Sequence, residues 1–158
     1  MYPFIARWIW NKEGFLRKMG HLDFAGGTVV HVNVGVSALV ICKILGKRTR
    51  NLVKDEPSSL KLMLLGTAIL WFGWLGFNGG NSCLNNPEQE TSIETCGANF
   101  RAVNAVSVTN ISACSAGLAW LFIDWSLSEG NVVSLKGVAF GVISGLVGST
   151  PLAGFVDL

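Results

Sequence analysis

Two titratable residues stand eight positions apart in the stretch Asp23-Phe24-Ala25-Gly26-Gly27-Thr28-Val29-Val30-His31. Asp23 occupies the place of a helix N-cap, where a carboxylate accepts hydrogen bonds from first-turn amides. Its charge also suits the positive end of the helix dipole. On a helix running from Asp23, His31 lies roughly 12 Å along the axis, close to the middle of a bilayer. An ionisable group at that depth is a candidate for handling substrate or protons. The plainer alternative is a neutral histidine held by an interhelical hydrogen bond. Gly27, His31 and Gly35 recur every four residues, so one face presents the imidazole between two gaps. Gly26 and Gly27 cost about 1 kcal/mol each relative to alanine in water. In a membrane they let a neighbouring backbone approach closely.

A second group lies at Trp74, Phe77, Asn78 and Asn81, spaced i, i+3, i+4 and i+7 and so sharing one helix face. Aromatic faces attract cations, and amide oxygens accept from N–H donors. Ordinary packing or an interfacial aromatic belt would give the same spacing. Gly66, Gly73, Gly76 and Gly80 offer close-packing surface elsewhere on that helix. Cys83 and Cys96 bracket an acidic segment, and Cys42 and Cys114 lie in apolar stretches. The first pair could close a disulfide worth roughly 3 kcal/mol, or remain two thiols. Neither pair has metal-ligand spacing with histidine, so no metal or cofactor is expected. No second His, Glu-x-x-His pair or nucleophile elbow accompanies His31 in the apolar stretches, which argues against an enzyme.

The elements that carry these residues follow from the charge pattern. Half of the 158 residues are hydrophobic and 14% are charged, against about 25% charged in a soluble domain. Mean hydropathy is +0.46. A net charge of +2 excludes a strongly basic nucleic-acid binder. Residues 24–42, 62–87, 102–123 and 137–156 contain no Asp, Glu, Lys or Arg. Each is long enough to cross a bilayer, which takes about 20 mostly apolar residues. The expected fold is therefore all-α, a polytopic transmembrane bundle with spans at 24–45, 62–84, 102–123 and 137–156. Residues 1–10 read as the tail of a preceding span, with Trp8 and Trp10 at the interface. The basic loop holding Lys47, Arg48, Arg50, Lys54 and Lys61 is expected inside, and the acidic 82–100 loop outside. The cationic N-terminal segment runs against that rule. The chain is expected to be the central part of a longer protein.

The run from Asp23 to His31 resembles the signature of the Amt/Mep/Rh ammonium transporters, in its Amt and Mep form. Gly46-Lys47-Arg48, Gly73-Trp74-Leu75-Gly76-Phe77-Asn78 and Thr150-Pro151-Leu152-Ala153-Gly154 are similar to family segments in the same order, as are Pro3, Ile5, Ala6 and Trp10. The resemblance implies an eleven-helix transporter, homotrimeric in a bilayer such as the plasma membrane, with this chain supplying the end of helix four through helix eight. It implies inverted repeats with the pore between them. His31 would be the first of two pore histidines, Phe77 a gate phenylalanine, Trp10 an outer cation-holding aromatic and Trp74 a pore-lining ring. Asp23, with Gly26, Gly27 and Thr28, would shape the outer site through backbone contacts. Two departures stand out: Asn81 replaces a hydroxyl residue that bonds the recruited ammonium, and Val108 stands where Asn is common. An ammonium sensor of the same fold is the alternative implied function.

Ammonium poses a definite physical problem. Moving such an ion into a low-dielectric medium costs on the order of 20 kcal/mol, which neutral ammonia avoids. An outer aromatic site gains about 0.5 to 2 kcal/mol from a cation. Neutral imidazoles deeper in the pore can bond ammonia and offer a route for the proton.

Overall fold

The computed structural model describes residues 2–47, 59–82, 100–130 and 132–157. Among them all regular structure is helical: α1 (Tyr2–Trp10), α2 (Phe15–Lys18), a π-helical segment (Gly27–Val32) running into α3 (Asn33–Leu45), α4 (Leu60–Gly80), α5 (Phe100–Leu127) and α6 (Leu135–Ser149). Serine caps open α4 and α6. Ser59 accepts from the Leu62 amide at 3.3 Å and Ser134 from the Gly137 amide at 3.2 Å, satisfying donors that the first turn leaves unpaired.

Among the described residues, three helices are long and apolar enough to cross a membrane: Gly27–Leu45, Leu60–Gly80 and Phe100–Leu127. Their outward surfaces stay apolar, as at Ile44, Phe72 and Leu118, which suits helices whose solvent is hydrocarbon. The last apolar stretch behaves differently from the expected 137–156 span. Regular helix there ends after 15 residues, at Ser149. Pro151 has no N–H to continue the ladder, and residues 150–155 proceed as turns. In them the Thr150 amide bonds Val147 O at 3.2 Å, and the Leu152 and Ala153 amides both bond Ser149 O.

Packing rests on small residues. Gly137, Gly141 and Gly145 form a stripe on α6 that lies directly against α5. A methyl group at Gly145 would sit 2.3 Å from Ser112 O, and one at Gly141 would sit 2.8 Å from Ala116 O. Such close approach is what drives helix association where lipid removes the hydrophobic term. On α4 the close-packed glycine is Gly79, 2.9 Å from Val106 Cγ2 for an added methyl. Gly66, Gly73, Gly76 and Gly80, expected to pack, meet nothing within 4 Å among the described residues. Glycine spacing alone does not say which face meets a neighbour.

Two buried clusters tie the elements together. Phe24, Ala25, Ala105, Val108 and Ala153 form one. Ala113, Val142 and Leu146, with Trp71 and Trp74 packed on them, form the other. Cys42 and Cys114 are free and exposed. Cys83 and Cys96, and the disulfide question they raise, lie outside the described residues.

Candidate functional site

The entry to the first long helix is built by Asp23. Asp23 is 3% exposed, and its carboxylate accepts from the Gly26 amide at 3.0 Å, the Thr28 amide at 3.0 Å and the Val29 amide at 2.9 Å. Gly26, rather than Asp23, is the residue at the cap position, with φ of 97°. That left-handed conformation is one that glycine adopts without steric cost. Asp23 thus caps from three residues upstream, across a folded loop. The imidazole of His21 lies 3.1 Å from Thr28 Oγ1, adding a side-chain tie to the same turn.

The loop changes how His31 is reached. Eight residues of helix from Asp23 would span roughly 12 Å, but helix begins only at Gly27, so His31 is about 6 Å along it. The first turn is also wide. The amides of Val30 and His31 both bond Gly26 O, at 2.8 and 3.2 Å. Such π turns concentrate at functional sites, where they re-aim a side chain. Gly27 faces the Pro151 ring, which an added methyl would approach to 2.3 Å. Phe24 and Ala25 donate backbone bonds to Pro151 O and Thr150 O at 3.0 and 3.2 Å.

His31 lies on Trp74. The rings stack with centroids 5.3 Å apart and an interplanar angle of 29°. His31 Nε2 is buried and has no hydrogen-bond partner among the described residues. Trp74 in turn meets Phe77 edge-on, with centroids 5.8 Å apart at 69°. Its indole N–H donates to Thr150 Oγ1 at 2.9 Å. One line of rings therefore runs from half-exposed Phe77 through Trp74 to the imidazole.

Asn78 does not share the outward face with Phe77. It is fully buried between α4, α5 and α6, and its amide donates to Thr109 Oγ1 at 2.8 Å and Ser149 Oγ at 3.4 Å. Both hydroxyls already donate to carbonyls of their own helices, Thr109 to Ala105 O and Ser149 to Leu146 O. That fixes the amide orientation and leaves Asn78 Oδ1 without a partner among the described residues. Asn81 turns its Nδ2 back to Phe77 O at 2.8 Å, closing the end of α4.

Trp10 sits with the Asp23 loop. Its indole N–H donates to Asp23 O at 3.2 Å, and its ring flanks Gly26. With 41% of its surface exposed, it leaves an aromatic face open. The predicted residues thus fall into two groups: Trp10 with Asp23, Gly26, Gly27 and Thr28, and His31 with Trp74, Phe77 and Asn81. Thr150 and Arg101 were missed. Arg101 lies over Phe24 and Phe155, 5.7 and 5.0 Å from their centroids, and its Nε donates to Gly154 O at 2.8 Å. Arg101 opens an apolar stretch, and the sequence gives no sign of which rings it will meet.

A histidine in the first turns of an apolar span, stacked on a tryptophan of a second span, defines a polytopic α-helical membrane protein with a polar residue inside its bundle. The chain belongs to the Ammonium Transporter Family, whose model matches residues 1–158. It is 45% identical to "Ammonium transporter Amt1" of Archaeoglobus fulgidus, over 100% of this chain and 36% of that protein. It is 40% identical to "Ammonium transporter MEP2" of Saccharomyces cerevisiae, over 100% of this chain and 30% of that protein. The crystal structure of Saccharomyces cerevisiae Mep2 superposes with a TM-score of 0.80 at 41% identity, covering 99% of this chain and 33% of that chain. The chain spans about a third of the length of these relatives.

Proposed function

We propose that this chain forms part of the wall of an ammonium-conducting pore, in which a cation is recruited outside and crosses as ammonia. The observation that carries the reading is the ring line from Phe77 through Trp74 to His31, ending at a buried Nε2 that has no partner among the described residues. Buried polar nitrogens in folded proteins take hydrogen-bond partners. Ammonia is a fitting occupant, because it both donates and accepts.

In this reading the open faces of Trp10 and Phe77 attract the cation, with amide oxygens such as that of Asn81 favouring an ion that donates hydrogen bonds. Asp23, Gly26, Gly27 and Thr28 hold the loop that frames the outer site. The proton leaves before the apolar pore, where an intact ion would face a penalty on the order of 20 kcal/mol. The assembly proposed is a homotrimer in the plasma membrane. The names of the relatives and the whole-chain family match support this reading. The test is flux into liposomes carrying the full-length protein, with ammonium, sodium and potassium offered in turn. Selective ammonium flux is expected; equal passage of all three, or none, would refute the proposal.

A further inference from the structure

The Thr150-Pro151 turn belongs to a sequence motif that the pore reading leaves unused, and it touches both helices that carry the ring line. Through its backbone it accepts from the amides of Phe24 and Ala25. Through the Pro151 ring it packs against Gly27, four residues before His31. Through the Thr150 hydroxyl it accepts the indole N–H of Trp74 at 2.9 Å. The turn therefore registers the His31 helix and the Trp74 helix against the same point.

The hydroxyl can serve in only one way. Thr150 is fully buried, and its own proton is committed to Leu146 O at 2.9 Å. Its lone pair is then an acceptor held at fixed direction, and an indole N–H can only donate. A Trp ring held at its nitrogen cannot rotate freely about its side-chain torsions. The imidazole of His31 stacks on that ring, so the plane in which Nε2 lies follows from the plane of the indole.

We propose that Thr150 is a positioning residue for His31, acting through the indole of Trp74. This rests on the pore reading above. Thr150 itself need not touch the substrate. Its hydroxyl keeps the aromatic floor of the site at one angle, and the floor keeps the imidazole nitrogen aimed into the pore. Backbone bonds to Phe24 and Ala25 do not involve the side chain, so removing the hydroxyl leaves the turn itself in place.

The experiment compares Thr150→Val, Thr150→Ser, Trp74→Phe, the double variant Thr150→Val with Trp74→Phe, and His31→Ala, all in the full-length protein. Ammonium uptake is measured across concentration and normalised to assembled protein at the surface. Thr150→Val, which keeps the shape and loses the acceptor, is expected to lower maximal uptake about five- to tenfold, the effect of one hydrogen bond. The half-saturating concentration should stay unchanged, because the outer site is intact. Thr150→Ser should restore maximal uptake. In the Trp74→Phe background, which lacks the indole N–H, Thr150→Val should cause no further loss. Should Thr150→Val fail to assemble, Thr150→Ala against Thr150→Ser repeats the comparison with the hydroxyl as the difference. Normal uptake by Thr150→Val, equal loss in Val and Ser, or additive losses in the double variant would each overturn the positioning role. Normal selective uptake by His31→Ala would instead overturn the pore reading beneath it.

Discussion

Replacing Asp23 separates two ways of closing the entry loop. The carboxylate holds three backbone amides, and those of Gly26 and Val29 are buried. Hydrogen bonds to a charged group contribute about 1.5 to 3 kcal/mol each, so stranding two buried donors in Asp23→Ala should cost about 3 to 6 kcal/mol. Asp23→Asn keeps one oxygen. Placed where Oδ2 now lies, it retains the Thr28 and Val29 bonds and turns an NH2 group on Gly26. The loss is then the Gly26 bond together with the charge assistance of the other two, still less than stranding every donor. The assay is thermal unfolding of the purified full-length protein in detergent, with transport measured on the surviving fraction. The expected order of midpoints is Asp, then Asn, then Ala, with clear separation at each step. Equal midpoints for Asn and Ala would refute the oxygen-by-oxygen reasoning, and a fully stable Asp23→Ala would refute the capping role.

Other consequences follow from the same geometry. Gly27→Ala drives a methyl to 2.3 Å from the Pro151 ring, and should lower stability by about 1 to 3 kcal/mol in the same thermal assay. Asn78→Leu should be milder than Asp23→Ala, below about 1.5 kcal/mol, because the Thr109 and Ser149 hydroxyls keep their own acceptors and an unpaired oxygen is removed. Trp10→Leu should weaken cation recruitment by about 0.5 to 2 kcal/mol, raising half-saturating ammonium by a few-fold to roughly thirtyfold. Uptake curves at graded ammonium concentration check that last value.

Much of the fold was legible because charge-free stretches and helix periods are local properties. The apolar runs around His31, Trp74 and Thr109 each became helices, and the three longest can cross a membrane. Asp23 was legible as an amide acceptor, since a carboxylate before a glycine-rich helix start has few other uses. Its geometry was not, because the left-handed turn at Gly26 and the wide turn after it depend on contacts with residues 150–154. Thr150 is 76 residues from Trp74, and no periodicity links such positions. Asn78 and Phe77 are consecutive, about 100° apart around the helix axis, so Asn78 is buried against α5 and α6 while Phe77 stays half-exposed. Glycine was the least readable residue. Gly79 and Gly80 are adjacent, and one packs against Val106 while the other meets nothing nearby among the described residues.

The most direct test of the central claim is ammonium uptake by His31→Ala, normalised to assembled protein at the surface. Interhelical polar contacts in membranes average about 0.6 kcal/mol, so the variant should still assemble. The pore account expects selective uptake to collapse or to lose discrimination against potassium, because the imidazole that bonds ammonia is gone. Normal selective uptake per assembled molecule, with reduced expression only, would make His31 a packing residue and contradict the account.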